Sequence, residues 1–438
     1  MRYPAENGGQ AARVCTKAGR AMRLPACGSP TVPGVITSRA CPYYGARWLL
    51  APVKETLHLV HGPVGCAYYG QTVRRKSYRI LSTALDEKDV VFGGDTKLVR
   101  AVREALRLFP DTRAVFVYGC CVAGLTGADL AGICRAATRT TGRTVVPVHC
   151  AGFGGASQGD GHDLAADVLV RFLVGRTSPP ASASCTVNLL GEFDIAGDLQ
   201  EIKTLLQQLG VSVLCTFTGE ASVTNLGYAH AAALNLVHCR RARGALAGAM
   251  TKTFGTPALK VNFFGFAATA ASLRAVAAHF GREEAAERII RAARTRLEPV
   301  LSALKRRLAG RRVGLYFGGS RVGSMAAAYR ELGMEVVWAG AQFGRQEDYA
   351  AAWPDVADGG VLLDDARQLE IEKFLRQVQP DLFVGGVRER FIAHKYGIPF
   401  TVFPQEGKPY AGFDGFVNFA QDIWRAVASP VWRLAHPQ

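Results

Sequence analysis

Four of the eleven cysteines stand in settings that packing alone does not require: Cys41 in Arg-Ala-Cys-Pro-Tyr-Tyr-Gly, Cys66 in His-Gly-Pro-Val-Gly-Cys, Cys121 in Cys-Cys-Val-Ala-Gly-Leu-Thr-Gly and Cys239 in Asn-Leu-Val-His-Cys. Three fall in the first third of the chain and one in the middle. That distribution suits two separate thiolate-bound metal clusters, and with them electron delivery. Glycine and proline beside a thiol let the backbone close on a bulky inorganic core. Gln158 and His162 are four residues apart, so on a helix they share a face and can offer hydrogen bonds or a proton to one bound atom. The same stretch also reads as a helix N-terminus followed by a surface histidine.

The chain of 438 residues is long enough for two or three domains with a large apolar core. Its composition, 49% hydrophobic and 20% charged, is that of an ordinary globular protein. No apolar run reaches membrane-spanning length and no signal-peptide core precedes Val35, so a cytoplasmic location is expected. In that compartment the cysteines are ligands or redox groups rather than a disulfide framework. The net charge of +16 is dispersed among helices such as Glu283 to Arg312 and forms no nucleic-acid reading motif. A solvated basic surface or an acidic partner fits better, and Arg74, Arg75, Lys76, Arg79, Arg240 and Arg241 would balance a negatively charged cluster.

Short β-branched runs alternate with helical stretches: 114–118, 144–148, 186–190, 211–217, 259–264, 313–317, 335–338, 360–363, 382–384 and 400–403. This pattern predicts an α/β protein with parallel sheets covered by helices on both faces. Breaks near 177–184 and 310–312 divide the runs into three doubly wound, Rossmann-like domains, at residues 36–178, 179–309 and 310–438, preceded by an arm over 1–35. Ligands gather at the carboxyl ends of such strands. Cys121, the turn Gly152-Phe153-Gly154-Gly155 and the turn Gly318-Gly319-Ser320-Arg321 all fall there. Ser157 stands where a dinucleotide fingerprint needs its third glycine, and no phosphate-loop motif occurs. Both turns instead bring backbone amides close to something bulky.

The segments from Arg39 to Asp95, Val148 to Asp167, Asn188 to Gly197, Leu234 to Arg240, Asn262 to Gly265, Gly318 to Val337 and Asp381 to Phe419 resemble the alpha subunit of nitrogenase component 1 and its relatives. The resemblance implies three Rossmann-like domains and a homologous beta-type (K-like) subunit in an α2β2 heterotetramer. It implies that Cys41, Cys66 and Cys121 supply half of a P-cluster-like 8Fe-7S cluster shared with that subunit, while Cys120 is a buried spectator. Cys239 would hold a terminal iron of an active-site cofactor, with His238 structural. Gln158 and His162 match a catalytic pair over the reactive face of that cofactor. Arg74, Arg321, Gly318 and Gly319 match positions that contact it.

Before Pro409-Tyr410-Ala411-Gly412, nitrogenases carry a cofactor-binding histidine that is missing from Phe403-Pro404-Gln405-Glu406-Gly407-Lys408. The implied cofactor is therefore a nitrogenase-cofactor-like 8Fe-9S-C cluster without molybdenum, vanadium or homocitrate. A catalytic face joined to a scaffold-like cofactor loop resembles the nitrogenase-like methylthio-alkane reductases. The expectation is a catalytic D-type subunit that cleaves the C–S bond of a small thioether, with electrons from an ATP-dependent 4Fe-4S reductase (H-like). Rival readings are a cofactor-assembly scaffold, which the Gln405-Glu406 loop favours, a protochlorophyllide-type reductase, which Cys239 opposes, and an iron-poor module for protein contacts.

Overall fold

The computed structural model describes residues 14–18, 41–71, 79–153, 156–179, 185–238, 244–318, 321–342, 344–403 and 407–432. Their strands are β1 (Val14–Thr16), β2 (Thr56–His61), β3 (Ile80–Ser82), β4 (Ala114–Gly119), β5 (Thr144–His149), β6 (Thr186–Glu192) and β7 (Ser212–Thr218), then β8 (Leu234–Val237), β9 (Ala258–Lys260), β10 (Arg312–Phe317), β11 (Glu335–Ala341), β12 (Val356–Asp364), β13 (Leu382–Gly385) and β14 (Phe400–Val402). Three sheets result, of order β3-β2-β4-β5, β7-β6-β8-β9 and β1-β12-β11-β10-β13-β14. Every pairing between these strands is parallel except that of β1 with β12. The central strands β2, β4 and β6 are buried along their whole length, as parallel strands with helices on both faces must be. The α/β class with parallel sheets in several domains is thus observed.

Four strands absent from the sequence reading are β1, β2, β3 and β8. In β2 the histidines disguise a fully buried strand: His58 meets Thr56 Oγ1 at 3.1 Å and Tyr118 Oη at 2.8 Å, so its polar atoms are satisfied inside the core. The run 259–264 is strand only over Ala258–Lys260. Beyond it, side chains capture the backbone: Asn262 N–H donates to Ser272 Oγ at 2.8 Å and Phe264 N–H to Asn262 Oδ1 at 3.0 Å. Of the amino-terminal arm, Val14–Thr16 closes the edge of the third sheet of its own chain. The helix Glu283–Leu308 buries Leu297, Leu301, Leu304 and Leu308 and ends before Gly310, whose φ of +73° favours glycine.

The edge strand β1 aside, the chain enters each sheet in the middle, builds outward on one side and then crosses to the other. The switch points lie between β2 and β4, between β6 and β8, and between β10 and β13. Loops leaving neighbouring strands at such a point diverge and open a crevice. Cys66 and Cys121 follow β2 and β4, Glu192 and His238 end or follow β6 and β8, and Arg321 follows β10.

Candidate functional site

At the end of the first sheet, Cys41 precedes the helix Pro42–Leu50, Cys66 lies in the helix Val64–Gln71 and Cys121 opens the helix Cys121–Thr126. All three thiols are half-buried. Gly152 joins two of them: its N–H donates to Cys121 Sγ at 3.2 Å, and a Cβ there would lie 3.4 Å from that of Cys41. Burial pushes the Cys41 thiol pKa up, against backbone hydrogen bonds from Tyr44 and Tyr43, and nearby Cys121 and Cys66 add to the rise. A bound metal ion reverses that preference, because its charge favours the thiolate. Among the described residues no three Cys, His, Asp or Glu side chains converge on a single metal ion. Cys120 is buried, as expected.

The helix Gln158–Phe172 starts on a reciprocal cap: Ser157 Oγ donates to Asp160 Oδ2 at 2.9 Å, and Ser157 N–H to the same oxygen at 2.7 Å. His162 is buried rather than on the surface, and Gln158, one turn earlier on that face, is half-buried. This helix packs tightly on Pro42–Leu50. A side chain at Gly45 would run into the Gln158 carbonyl, and one at Gly161 into the Pro42 carbonyl. The helix that begins beside Cys41 and the helix that carries Gln158 and His162 are therefore held backbone to backbone. Arg345, from the loop after β11, reaches Asp163 at 2.6 Å.

At the switch point of the second sheet lies a buried network that sequence reasoning missed. Glu192 Oε2 is 3.1 Å from His238 Nδ1 and 3.6 Å from Arg321 Nη2. Its other oxygen accepts the Phe193 and Asp194 N–H groups at 2.8 and 2.9 Å. His238 Nε2 accepts the Phe263 N–H at 3.3 Å, which assigns the ring proton to Nδ1 and directs it at Glu192. The Arg321 guanidinium donates to Gly191 O at 3.2 Å and lies 4.7 Å above the Phe264 ring. Burial opposes ionisation of Glu192, but His238 and Arg321 together hold its carboxyl below the usual range. Asp198 is pushed up to about 6, first by burial and then by the charge of Glu192, although the Ala411 and Tyr410 N–H groups work the other way. The signal available in the sequence was one carboxylate, Glu192, two residues past the strand run 186–190.

Arg321 is tied into this network, Gly318 follows β10, and His238 is locked between Glu192 and the Phe263 N–H. Arg79 does not balance a cluster, because Asp111 holds both of its terminal nitrogens at 2.7 and 2.9 Å. Lys408 pairs with Asp422 at 2.8 Å. Cys239, Arg74, Gly319, Arg75, Lys76, Arg240, Arg241, Gln405 and Glu406 lie outside the described residues. No helix among the described residues is long and apolar enough to cross a membrane.

Three sheets of parallel strands, one with an antiparallel edge, and thiols and buried charges at their strand ends define an α/β protein. Residues 41–428 match the family described as nitrogenase component 1 type oxidoreductase, and the chain belongs to that family. It is 38% identical over 428 residues to the nitrogenase iron-molybdenum cofactor biosynthesis protein NifE of Methanococcus maripaludis, covering 95% of this chain and 89% of that one. To the nitrogenase molybdenum-iron protein alpha chain of Methanothermobacter marburgensis it is 36% identical over 432 residues, covering 94% and 92%. A solved structure of nitrogenase Cp1 at pH 5 superposes with a TM-score of 0.90 at 29% identity, over 97% of this chain and 95% of that one.

Proposed function

We propose that this chain is the catalytic alpha-type subunit of a nitrogenase-like iron–sulfur reductase that cleaves the C–S bond of small methylthio-alkanes, releasing methanethiol and a hydrocarbon. The observation that carries the catalytic reading is His162. It is buried, on one helix face with Gln158, and that helix is locked to the one beginning at Cys41.

Cys41, Cys66 and Cys121 hold this subunit's half of the P-cluster-like cluster, and a beta-type subunit completes it. Exposed Val64 and Tyr68 in the helix of Cys66, Leu125 in that of Cys121 and Phe153 next to Gly152 suit coverage by such a partner. Cys239 holds the cofactor, with Arg321 and Gly318 beside it. When bound, these clusters supply the electrons, delivered singly by an ATP-dependent 4Fe-4S reductase. His162 donates a proton, Gln158 positions the substrate, and the fixed guanidinium of Arg321 offers positive charge to a sulfide-rich anion. The overall change consumes two electrons and two protons per C–S bond, giving one C–H and one S–H bond.

A second reading, cofactor assembly without turnover, is favoured by the likeness to NifE at 38% identity. Anaerobic metal analysis with a thioether reduction assay separates the two. Iron without molybdenum or vanadium, together with methanethiol release, is the expected result. Transfer of the cluster to a cofactor-free nitrogenase, with no thioether turnover, would establish the assembly reading. In His162→Gln, turnover should fall by about 10²–10⁴ at unchanged iron content. Equal activity would remove His162 from the mechanism.

A further inference from the structure

Arg321 stands where a cation is hard to keep. It opens the helix Arg321–Glu331, and the positive end of a helix dipole disfavours a positive charge. Its side chain is only 16% exposed, so water solvates little of that charge. It also reaches away from the third sheet, to Gly191, Glu192, His238 and Phe264 around the second. Holding so long a side chain in one pose costs rotamer freedom as well.

Glu192 offsets these costs. Arg321 Nη2 lies between Gly191 O at 3.2 Å and Glu192 Oε2 at 3.6 Å, and Nη1 is 3.3 Å from His238 Nδ1. The carboxylate cannot swing, because it is 3% exposed and its other oxygen accepts the Phe193 and Asp194 N–H groups. A fixed anion fixes the guanidinium that faces it. The loop that leaves Glu192 ends at Asp198, whose Oδ1 accepts the Tyr410 and Ala411 N–H groups at 2.7 and 2.8 Å. From one loop beside the second sheet, two carboxylates thus grip two stretches of chain that belong with the third.

We propose that Glu192 is a positioning residue for the reaction: its carboxylate holds the Arg321 guanidinium in place for the anionic cofactor. The inference rests on the cofactor reading given above. Glu192 acts through Arg321 and is not itself catalytic. Partners one step removed from a metal site change its affinity by about 10- to 100-fold.

The test uses the complete anaerobic complex, with iron counted, the cofactor followed by EPR and its loss to an iron chelator timed. Glu192→Gln keeps an oxygen for the Phe193 and Asp194 N–H groups but turns an NH2 group toward the donors of Arg321. At full iron content the cofactor EPR signal should change and cofactor loss should be about tenfold faster, while the signal of the cluster at Cys41, Cys66 and Cys121 stays as in wild type. Adding Glu192→Gln to Arg321→Met should change nothing further, since the two residues act as one unit. A wild-type cofactor signal and loss rate in Glu192→Gln, or a further change in the double variant, overturns this inference and leaves the cofactor reading intact. A wild-type complex with iron only at Cys41, Cys66 and Cys121 overturns the cofactor reading, and this inference with it. Should Glu192→Gln not assemble, Glu192→Asp withdraws the carboxylate by one methylene and should shift both readouts the same way; wild-type values there decide against the proposal.

Discussion

At the end of the first sheet the side chains are thiols, Cys41, Cys66, Cys120, Cys121 and Cys150. At the end of the second they are a carboxylate, an imidazole and a guanidinium, in Glu192, His238 and Arg321. Both groups lie at strand ends of parallel sheets; Cys41, Cys66 and Cys121 are half-buried and Cys120 and Cys150 buried, while Glu192 and His238 are buried. Thiols tolerate such burial almost as small apolar groups do, so their loss costs the bare fold little. Buried charges persist only because each neutralises another, and removal of one leaves the rest uncompensated. The first end is thus free to be shaped by what it binds, whereas the second is part of what keeps the protein folded.

The sharpest way to break this contrast is Glu192→Ala. Stability should fall by about 3–5 kcal/mol in denaturant unfolding, because Arg321 loses its buried counter-charge. A loss below about 1 kcal/mol would show that water reaches the network and that the two ends do not differ in kind. Gly161→Ala should follow, at about 1–3 kcal/mol, since the added methyl meets the Pro42 carbonyl and the two helices must part. The Asp198 effect is smaller and depends on pH. Its folded pKa is raised above the unfolded value, so its contribution is fully present below the unfolded pKa of about 3.8 and is lost as pH rises through about 6. Asp198→Asn should therefore gain thermal stability over wild type between pH 4 and pH 7, and a constant difference across that range would reject the assigned cause. Least of all, Cys121→Ala should change the stability of the cluster-free chain by less than about 0.5 kcal/mol while abolishing iron uptake at that end, checked by unfolding and by iron analysis.

Much of this was legible from one dimension. Runs such as 114–118 and 313–317 pack on both faces, so their composition declared strands, and alternation with helices declared parallel sheets. Spacing also placed Gln158 and His162 on one helix face. What stayed hidden were elements whose polar residues are satisfied by distant partners. His58 in β2 looks unfit for a core until Tyr118, sixty residues away, supplies its hydrogen bond.

The amino-acid order alone determined the class of fold and the chemical kinds of the groups at the strand ends, because both follow from local periodicity and from residue type. Only the tertiary structure decided which of those groups meet. The pairing of Glu192 with His238 and Arg321 spans 46 and 129 residues of chain, and the seating of Gly161 on Pro42 spans 119. Contacts of such separation are fixed by strand order and sheet register, which no single segment encodes.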